Sequence, residues 1–394
     1  MKILIAPDSY KGSLSSKAVA DCMEQGVLEV LPEAVIRKIP IADGGEGTVE
    51  AILSAVGGEC RKLEVVGPQG EPVIAEYGIF DEGHAAVIEM ASASGLTLVP
   101  AERRNPLTAT TYGTGQLIKA ALDAGCRQLI IGIGGSATND GGVGMAQALG
   151  VRFLDAAGAE IGFGGGELQR IASVDTTGLH PGVAGCEITI ASDVTNPLCG
   201  EQGAARVFGP QKGATPEMVA RLDAGLRHLA GIIREQLGVD IAGVAGAGAA
   251  GGLGAGLIAF LDAGMARGID IVMEAARFAE EVRDADLVLT GEGHTDVQTA
   301  FGKTPAGVAK LAKLHNKPVI CVSGGIDAEA RGMYDSGIDV VVGATQAPMT
   351  LEQAIAQAPA NIRHAVSSVL RAMLIPQRYG SGNRGEAARA SGEL

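Results

Sequence analysis

Residues 1–40 read MKILIAPDSYKGSLSSKAVADCMEQGVLEVLPEAVIRKIP, and the order of their apolar runs decides the fold class. Positions 2–6 are an apolar run broken by Pro7 and Asp8, which predicts a buried strand rather than a signal peptide. Positions 7–13 predict a loop, 15–30 a helix and 35–40 a second strand. Strand, loop, helix, strand is one parallel crossover unit.

The same rhythm returns after Asp286, with strands at 287–290, 318–322 and 340–342 and helices at 304–314, 328–335 and 351–370. Between the two stretches the pattern changes. Turn signals at Gly67-Pro68 and Gly83 within 61–89 predict antiparallel hairpins. Helices are expected over 113–123, 142–149, 216–237 and 252–264, with strands at 128–133 and 187–192. The expectation is an α/β protein of two domains: a parallel-sheet domain built from both chain ends (1–62 with 284–375) and an inserted mixed α/β domain (63–283). A Gly/Ser/Arg/Ala tail at 376–394 is expected to be disordered.

Composition agrees with two sizeable cores. The chain has 394 residues, 46% hydrophobic but only 3% aromatic, with no Trp, so Val, Ile, Leu and Ala must fill the interior, as in parallel α/β sheets. The formal charge of −14 and the absence of a Lys/Arg cluster argue against nucleic acid and anionic membranes as partners. The six cysteines are scattered without zinc spacing, as expected of reduced thiols in a cytoplasmic protein.

Glycine supplies 59 residues, and five loops each set a carboxylate among glycines or small residues after an apolar strand. They contain Asp8; Asp43 and Glu46; Asn139 and Asp140; Asp193; and Glu292 and Asp296. In open α/β sheets ligands bind beyond the carboxyl ends of strands, where such loops gather. Phosphoryl transfer uses backbone N–H groups and cations for the phosphates, carboxylates for Mg²⁺ and a base for the attacking hydroxyl. Any one of these loops is ordinary turn and cap chemistry; their number is the signal.

Two rival readings stand beside phosphoryl transfer. Gly132, Gly134 and Ala137 follow a strand in GxGxxA spacing, and Asp155 ends a later strand, as in an NAD(P)-binding oxidoreductase. A non-enzymatic anion-binding protein is the other, although clustered carboxylates repel anions unless a metal intervenes. No Walker A loop is present, because Val297 stands where Gly302-Lys303-Thr304 would require glycine.

Taken in order, the segments beginning Pro7-Asp8, Ala42-Asp43, Gly132-Ile133, Val207-Phe208 and Thr290-Gly291 resemble those of the bacterial glycerate kinase family, from residue 1 to about residue 375. The resemblance implies ATP-dependent phosphorylation of D-glycerate, leaning toward 2-phosphoglycerate, by two α/β domains, one Rossmann-like. One departure is His294, where the family usually carries Arg.

On that reading ATP and Mg²⁺ are the cofactors, glycerate is the small-molecule partner, and a homodimer is allowed. Asp193 is the expected base, with Lys11 and Asp8 as further catalytic residues. Ser9, Gly44, Gly45, Gly135, Ser136, Asn139, Asn196, Lys212, Gly291, Gly293 and Lys303 are expected to bind substrate or phosphate. Asp43, Glu46, Glu292 and Asp296 are expected to hold the metal. The glycerate carboxylate needs a cation, for which the lysines, Arg61 and Arg206 are candidates.

Overall fold

A computed structural model describes residues 1–375 apart from 43, 297–298, 300–302 and 329. Asp43 and the tail at 376–394 lie outside the described residues. The chain divides into two compact units, Met1–Ile41 with the chain from Arg277 onward, and Ala42–Ala276.

The opening segment forms β1 (Lys2–Ile5), α1 (Ser16–Leu28) and β2 (Val35–Lys38), with β2 parallel to β1. Ser15 caps α1 by accepting the Ala18 N–H at 3.3 Å. Val19, Ala20, Met23 and Val27 recur on the buried face of that helix.

The second unit begins with α2 (Thr48–Val56), a helix the sequence pattern does not announce. Its N-cap is Gly47 at φ 91°, with no Ser, Thr, Asp or Asn to mark the start. An antiparallel meander of β3 (Glu59–Val66), β4 (Pro72–Phe80) and β5 (Ala85–Glu89) follows. The short α3 (Ala91–Ser94) and α4 (Tyr112–Asp123) lead to β6 (Gln128–Gly132), which returns parallel to β5. Next come α5 (Val143–Ala148), β7 (Arg152–Leu154), β8 (Ser173–Asp175) and β9 (Glu187–Ala191). The unit closes with α6 (Ala204–Phe208), α7 (Pro216–Leu237), α8 (Ala249–Leu261), β10 (Gly264–Ala266) and α9 (Gly268–Ala275).

Its main sheet has six strands in the order β10-β9-β6-β5-β4-β3, parallel from β10 to β5 and antiparallel beyond. Covered on both faces, β5 and β6 are nearly continuous apolar runs, whereas β3 at the edge alternates. β7 and β8 form a separate two-stranded antiparallel sheet.

The chain then returns to the first unit through α10 (Phe278–Asp284), β11 (Leu287–Thr295), α11 (Thr304–Leu314), β12 (Val319–Ile326), β13 (Val340–Gly343) and α12 (Leu351–Met373). Its sheet is wholly parallel in the order β13-β12-β11-β1-β2.

Two expectations from the sequence are corrected by the fold. The helix at 328–335 is only a 3-10 turn at Ala330–Met333. The acidic loop after Thr290 is instead strand: β11 runs on through Gly291, Glu292, Gly293 and His294, with Thr295 opposite Ile326 of β12. Close packing requires glycine there, since a Cβ on Gly291 would stand 2.1 Å from the Val322 carbonyl. Gly291→Ala should therefore force β11 and β12 apart and destabilise the protein by about 1–3 kcal/mol, measured as a lower urea midpoint; an unchanged midpoint would refute the packing role.

Candidate active site

In the first unit the carboxyl ends of β1 and β11 bring two acids together. The Asp8 N–H donates to the Gly291 carbonyl at 2.8 Å. Asp8 Oδ1 accepts the Ser9 N–H at 2.6 Å, and Oδ2 accepts the hydroxyl of Thr304, the first residue of α11, at 2.8 Å. Glu292 Oε1 accepts from the Thr295 hydroxyl at 3.0 Å, and that hydroxyl also meets Ser323 Oγ at 2.6 Å. Both carboxylates are buried. Burial raises the pKa of Glu292, and the charge of Asp8 adds to the rise.

Around this pair, Lys303 Nζ lies 3.1 and 3.2 Å from the two oxygens of Asp296, and Asp296 also accepts the Thr299 N–H at 3.0 Å. His294 Nε2 stands 3.0 Å from Asp327 Oδ1. Gly293 packs against the backbone of Tyr10, whose hydroxyl donates to the Val322 carbonyl at 2.8 Å. Lys11 is exposed in the loop after β1.

In the second unit the loop from Gly44 to Gly47 crosses the carboxyl ends of β6 and β9. The Gly44 carbonyl accepts the Gly134 N–H at 3.2 Å. A Cβ on Gly44 would stand 2.5 Å from the Ala191 carbonyl, and one on Gly134 would stand 2.8 Å from the Cα of Gly45. Glu89, at the end of β5, accepts the Val49 N–H at 2.7 Å and so fills the start of α2. Burial holds its carboxyl above the usual range. Glu46 is exposed.

The loop that follows β6 is anchored by buried charge. Lys212 is 1% exposed, and its ammonium donates to Ser136 Oγ at 2.7 Å and to the Thr138 carbonyl at 2.6 Å. Burial pushes its pKa down to about 7, against the pull of Asp140. Asp140 Oδ2 accepts the Thr111 N–H at 2.8 Å and the Thr111 hydroxyl at 2.9 Å, and its Oδ1 accepts the Gly142 N–H at 3.1 Å. Gly135 turns the loop at φ 74° and its carbonyl accepts the Leu96 N–H at 2.8 Å. Asn139 is fully buried, and among the described residues neither polar atom of its carboxamide has a partner.

At the end of β9, Asp193 is half exposed and its Oδ1 stands 3.7 Å from Nε of Arg267, the residue after β10. Asn196 is turned to its own loop, donating to the Gln202 carbonyl at 2.8 Å.

The structure thus gathers Asp8, Ser9, Gly291, Glu292 and Gly293 in the first unit, with Lys303 and Asp296 paired beside them. In the second it gathers Gly44 and Gly45 over the strand ends, Gly135 and Ser136 with Lys212, and Asp193 with Arg267. The pattern of the sequence does not mark Thr304, Ser323, Glu89 or Arg267, because each acts through a partner distant in the chain.

Among the described residues no group of three or more His, Cys, Asp or Glu side chains is assembled as a complete metal cage. The pair of Asp8 and Glu292 still fits Mg²⁺, which takes one or two carboxylates and fills its other positions with phosphate oxygens and water. The dinucleotide reading fails on geometry. No helix opens at the fingerprint, since α5 begins only at Val143. Asp155 follows the separate two-stranded sheet and is bound by Arg170 at 3.0 Å.

Comparison with known proteins agrees. A family model described as the glycerate kinase family matches residues 3–374. The chain is 53% identical to a glycerate kinase of Bacillus subtilis over 91% of its length and 94% of the relative's. It is 50% identical to a glycerate 2-kinase of Escherichia coli over 96% and 99% of the two chains. A crystal structure described as glycerate kinase 2 from Salmonella typhimurium LT2 superposes with a TM-score of 0.87 at 51% identity, covering 96% of this chain and 99% of that one.

Lys212 and Asp140 are both buried and opposite in charge, so removing one should raise the cost of burying the other. Lys212→Met is expected to lower stability by about 2–4 kcal/mol, and adding Asp140→Asn should return part of that loss in a double-mutant cycle. Additive effects of the two substitutions in chemical denaturation would show that the two charges do not interact.

Proposed function

This chain belongs to the glycerate kinase family, and we propose that it phosphorylates the 2-hydroxyl of D-glycerate, with Mg²⁺ bound to ATP. The family's enzymes transfer the terminal phosphoryl group of ATP to an alcohol. In that transfer the substrate oxygen forms a bond to the γ-phosphorus, the bond to the ADP oxygen breaks, and the hydroxyl proton leaves to a base.

The observation that carries the metal assignment is the buried pair of Asp8 and Glu292. Two buried carboxylates at neighbouring strand ends offer the hard oxygen ligands that Mg²⁺ takes. Mg²⁺ would supply charge neutralisation on the transferred phosphoryl group. In the first unit Asp296, held by Lys303, is a secondary candidate for that ion, and in the second unit the exposed Glu46 is a candidate for a metal contact there.

In the first unit the backbone amides of Gly291 and Gly293 and the hydroxyl of Ser9 would be the groups for binding phosphate or substrate, and in the second unit the backbone amides of Gly44, Gly45 and Gly135 and the hydroxyl of Ser136. Lys11 and Lys303 would provide positive charge toward the nucleotide. Lys212 would act indirectly, holding Ser136 and the loop around Asn139 in place, and Asn196 would brace the loop that carries Asp193. Asp193 would take the hydroxyl proton.

The six cysteines are free thiols, which supports a reducing cytoplasmic setting. No helix among the described residues is long and apolar enough to cross a membrane.

A coupled ADP-release assay across a panel of hydroxy acids, with phosphorus NMR of the product, tests the reaction: D-glycerate should be preferred and 2-phosphoglycerate formed, whereas 3-phosphoglycerate would refute the regiochemistry. Asp193→Asn should lower kcat by roughly 100-fold or more with the KM for ATP little changed; near-normal turnover would remove Asp193 from the role of base.

Glu292→Gln should weaken the response to Mg²⁺ while stabilising the protein. A carboxyl whose pKa rises on folding costs stability above its folded pKa, and the cost vanishes once it is protonated in both states. The gain in Tm should therefore be seen at neutral pH and disappear near about pH 4; a lower Tm at neutral pH would contradict burial as the cause of the raised pKa.

A further inference from the structure

We propose that Arg267 receives the carboxylate of the acceptor and, by its distance from Asp193, selects the hydroxyl next to that carboxylate for phosphorylation. The inference rests on the reading of Asp193 as base, and extends it to how the acceptor is recognised.

The position comes from the sheet. β9 and β10 are parallel neighbours, and the Ser192 N–H donates to the Ala266 carbonyl at 3.1 Å. Asp193 and Arg267 are each the next residue along, so base and cation leave the same carboxyl edge side by side, where open α/β sheets place their ligands. Arg267 Nε is 3.7 Å from Asp193 Oδ1 and 3.9 Å from Asp270 Oδ2, one turn into α9. The two acids hold the guanidinium between them, yet Arg267 is 47% and Asp193 43% exposed, so both can be reached by a small molecule.

Lys212, Arg61 and Arg206, the other candidate cations of this unit, are engaged elsewhere. Lys212 is buried against Ser136 and Thr138. Arg61 pairs with Glu59 at 3.0 Å on the edge strand β3, and Arg206 is 3.4 Å from Glu201 in the stretch leading to α6. A half-exposed Asp–Arg pair adds little to stability, whereas a planar guanidinium suits a carboxylate in two-point contact.

Chemistry then links recognition to regiochemistry. The carboxylate and the 2-hydroxyl of glycerate sit on adjacent carbons, and the 3-hydroxyl lies one carbon further away. A cation and a base this close match the adjacent groups. With the carboxylate on Arg267, the 2-hydroxyl falls at Asp193 and can lose its proton there as its oxygen bonds to phosphorus.

The test compares wild type, Arg267→Met and Arg267→Lys with D-glycerate and with glycerol, which has the hydroxyls but no carboxylate. Arg267→Met should raise the KM for D-glycerate by about 100-fold, leave the KM for ATP within about twofold, and reduce the preference for glycerate over glycerol by the same factor. Arg267→Lys should recover part of that preference, because it keeps the charge but not the fork, and it serves as the variant to measure if the Met form does not fold. Phosphorus NMR of the Arg267→Met product should show 3-phosphoglycerate alongside the 2-isomer. An unchanged KM for glycerate, or an equal loss for glycerate and glycerol, would overturn the assignment. If wild type is inactive on glycerate, or Asp193→Asn remains active, the underlying reading fails instead; a wild type active on glycerate and a dead Asp193→Asn, with Arg267→Met unaffected, would sink the role of Arg267 alone.

Discussion

Direct approach of backbone to backbone at the carboxyl ends of parallel strands is the constraint on which both units depend. In the second unit, the Gly44 loop lies on the ends of β6 and β9 so closely that a side chain on Gly44 or Gly134 would overlap main-chain atoms. In the first, β11 and β12 continue past the point where the sheet would otherwise end, because Gly291 and Gly324 leave room for carbonyls of the facing strand. The high glycine content is thus largely a packing requirement. It also leaves peptide N–H groups at the strand ends without side chains in the way.

Polar groups then fix those bare segments. Asp140 ties the Thr111 N–H at the start of α4 to the turn ahead of α5, and Lys212 ties Ser136 and Thr138 to the following part of the chain. Glu89 performs the same service for α2. Asp140 and Lys212 are charges held out of water, which is tolerated only because several donors or acceptors converge on each. Asp193 and Arg267 stay half exposed, as the proposed contact with an acceptor requires.

Parallel crossovers at both chain ends and the hairpins at 61–89 were legible from apolar periodicity, and α7 and α11 have the bounds expected of them, 216–237 and 304–314. The same method missed α2, whose glycine cap carries no side-chain marker, and mistook the Gly291 to Thr295 segment for a loop, since glycine normally ends a strand. The GxGxxA match at Gly132 was misleading for a related reason. In a chain this rich in glycine the spacing recurs without the strand-to-helix turn that gives it meaning.

The sequence by itself determined the α/β class and the set of acidic and glycine residues at the strand ends, because those follow from local periodicity and composition. Which of them work together was decided only by tertiary structure. Asp8 meets Thr304 across 296 positions and Lys212 meets Ser136 across 76, and Arg267 comes beside Asp193 because β9 and β10 pair. Hydrogen bonds and charge interactions act over a few ångströms of space, and separation along the chain carries no information about that distance until the strands have paired.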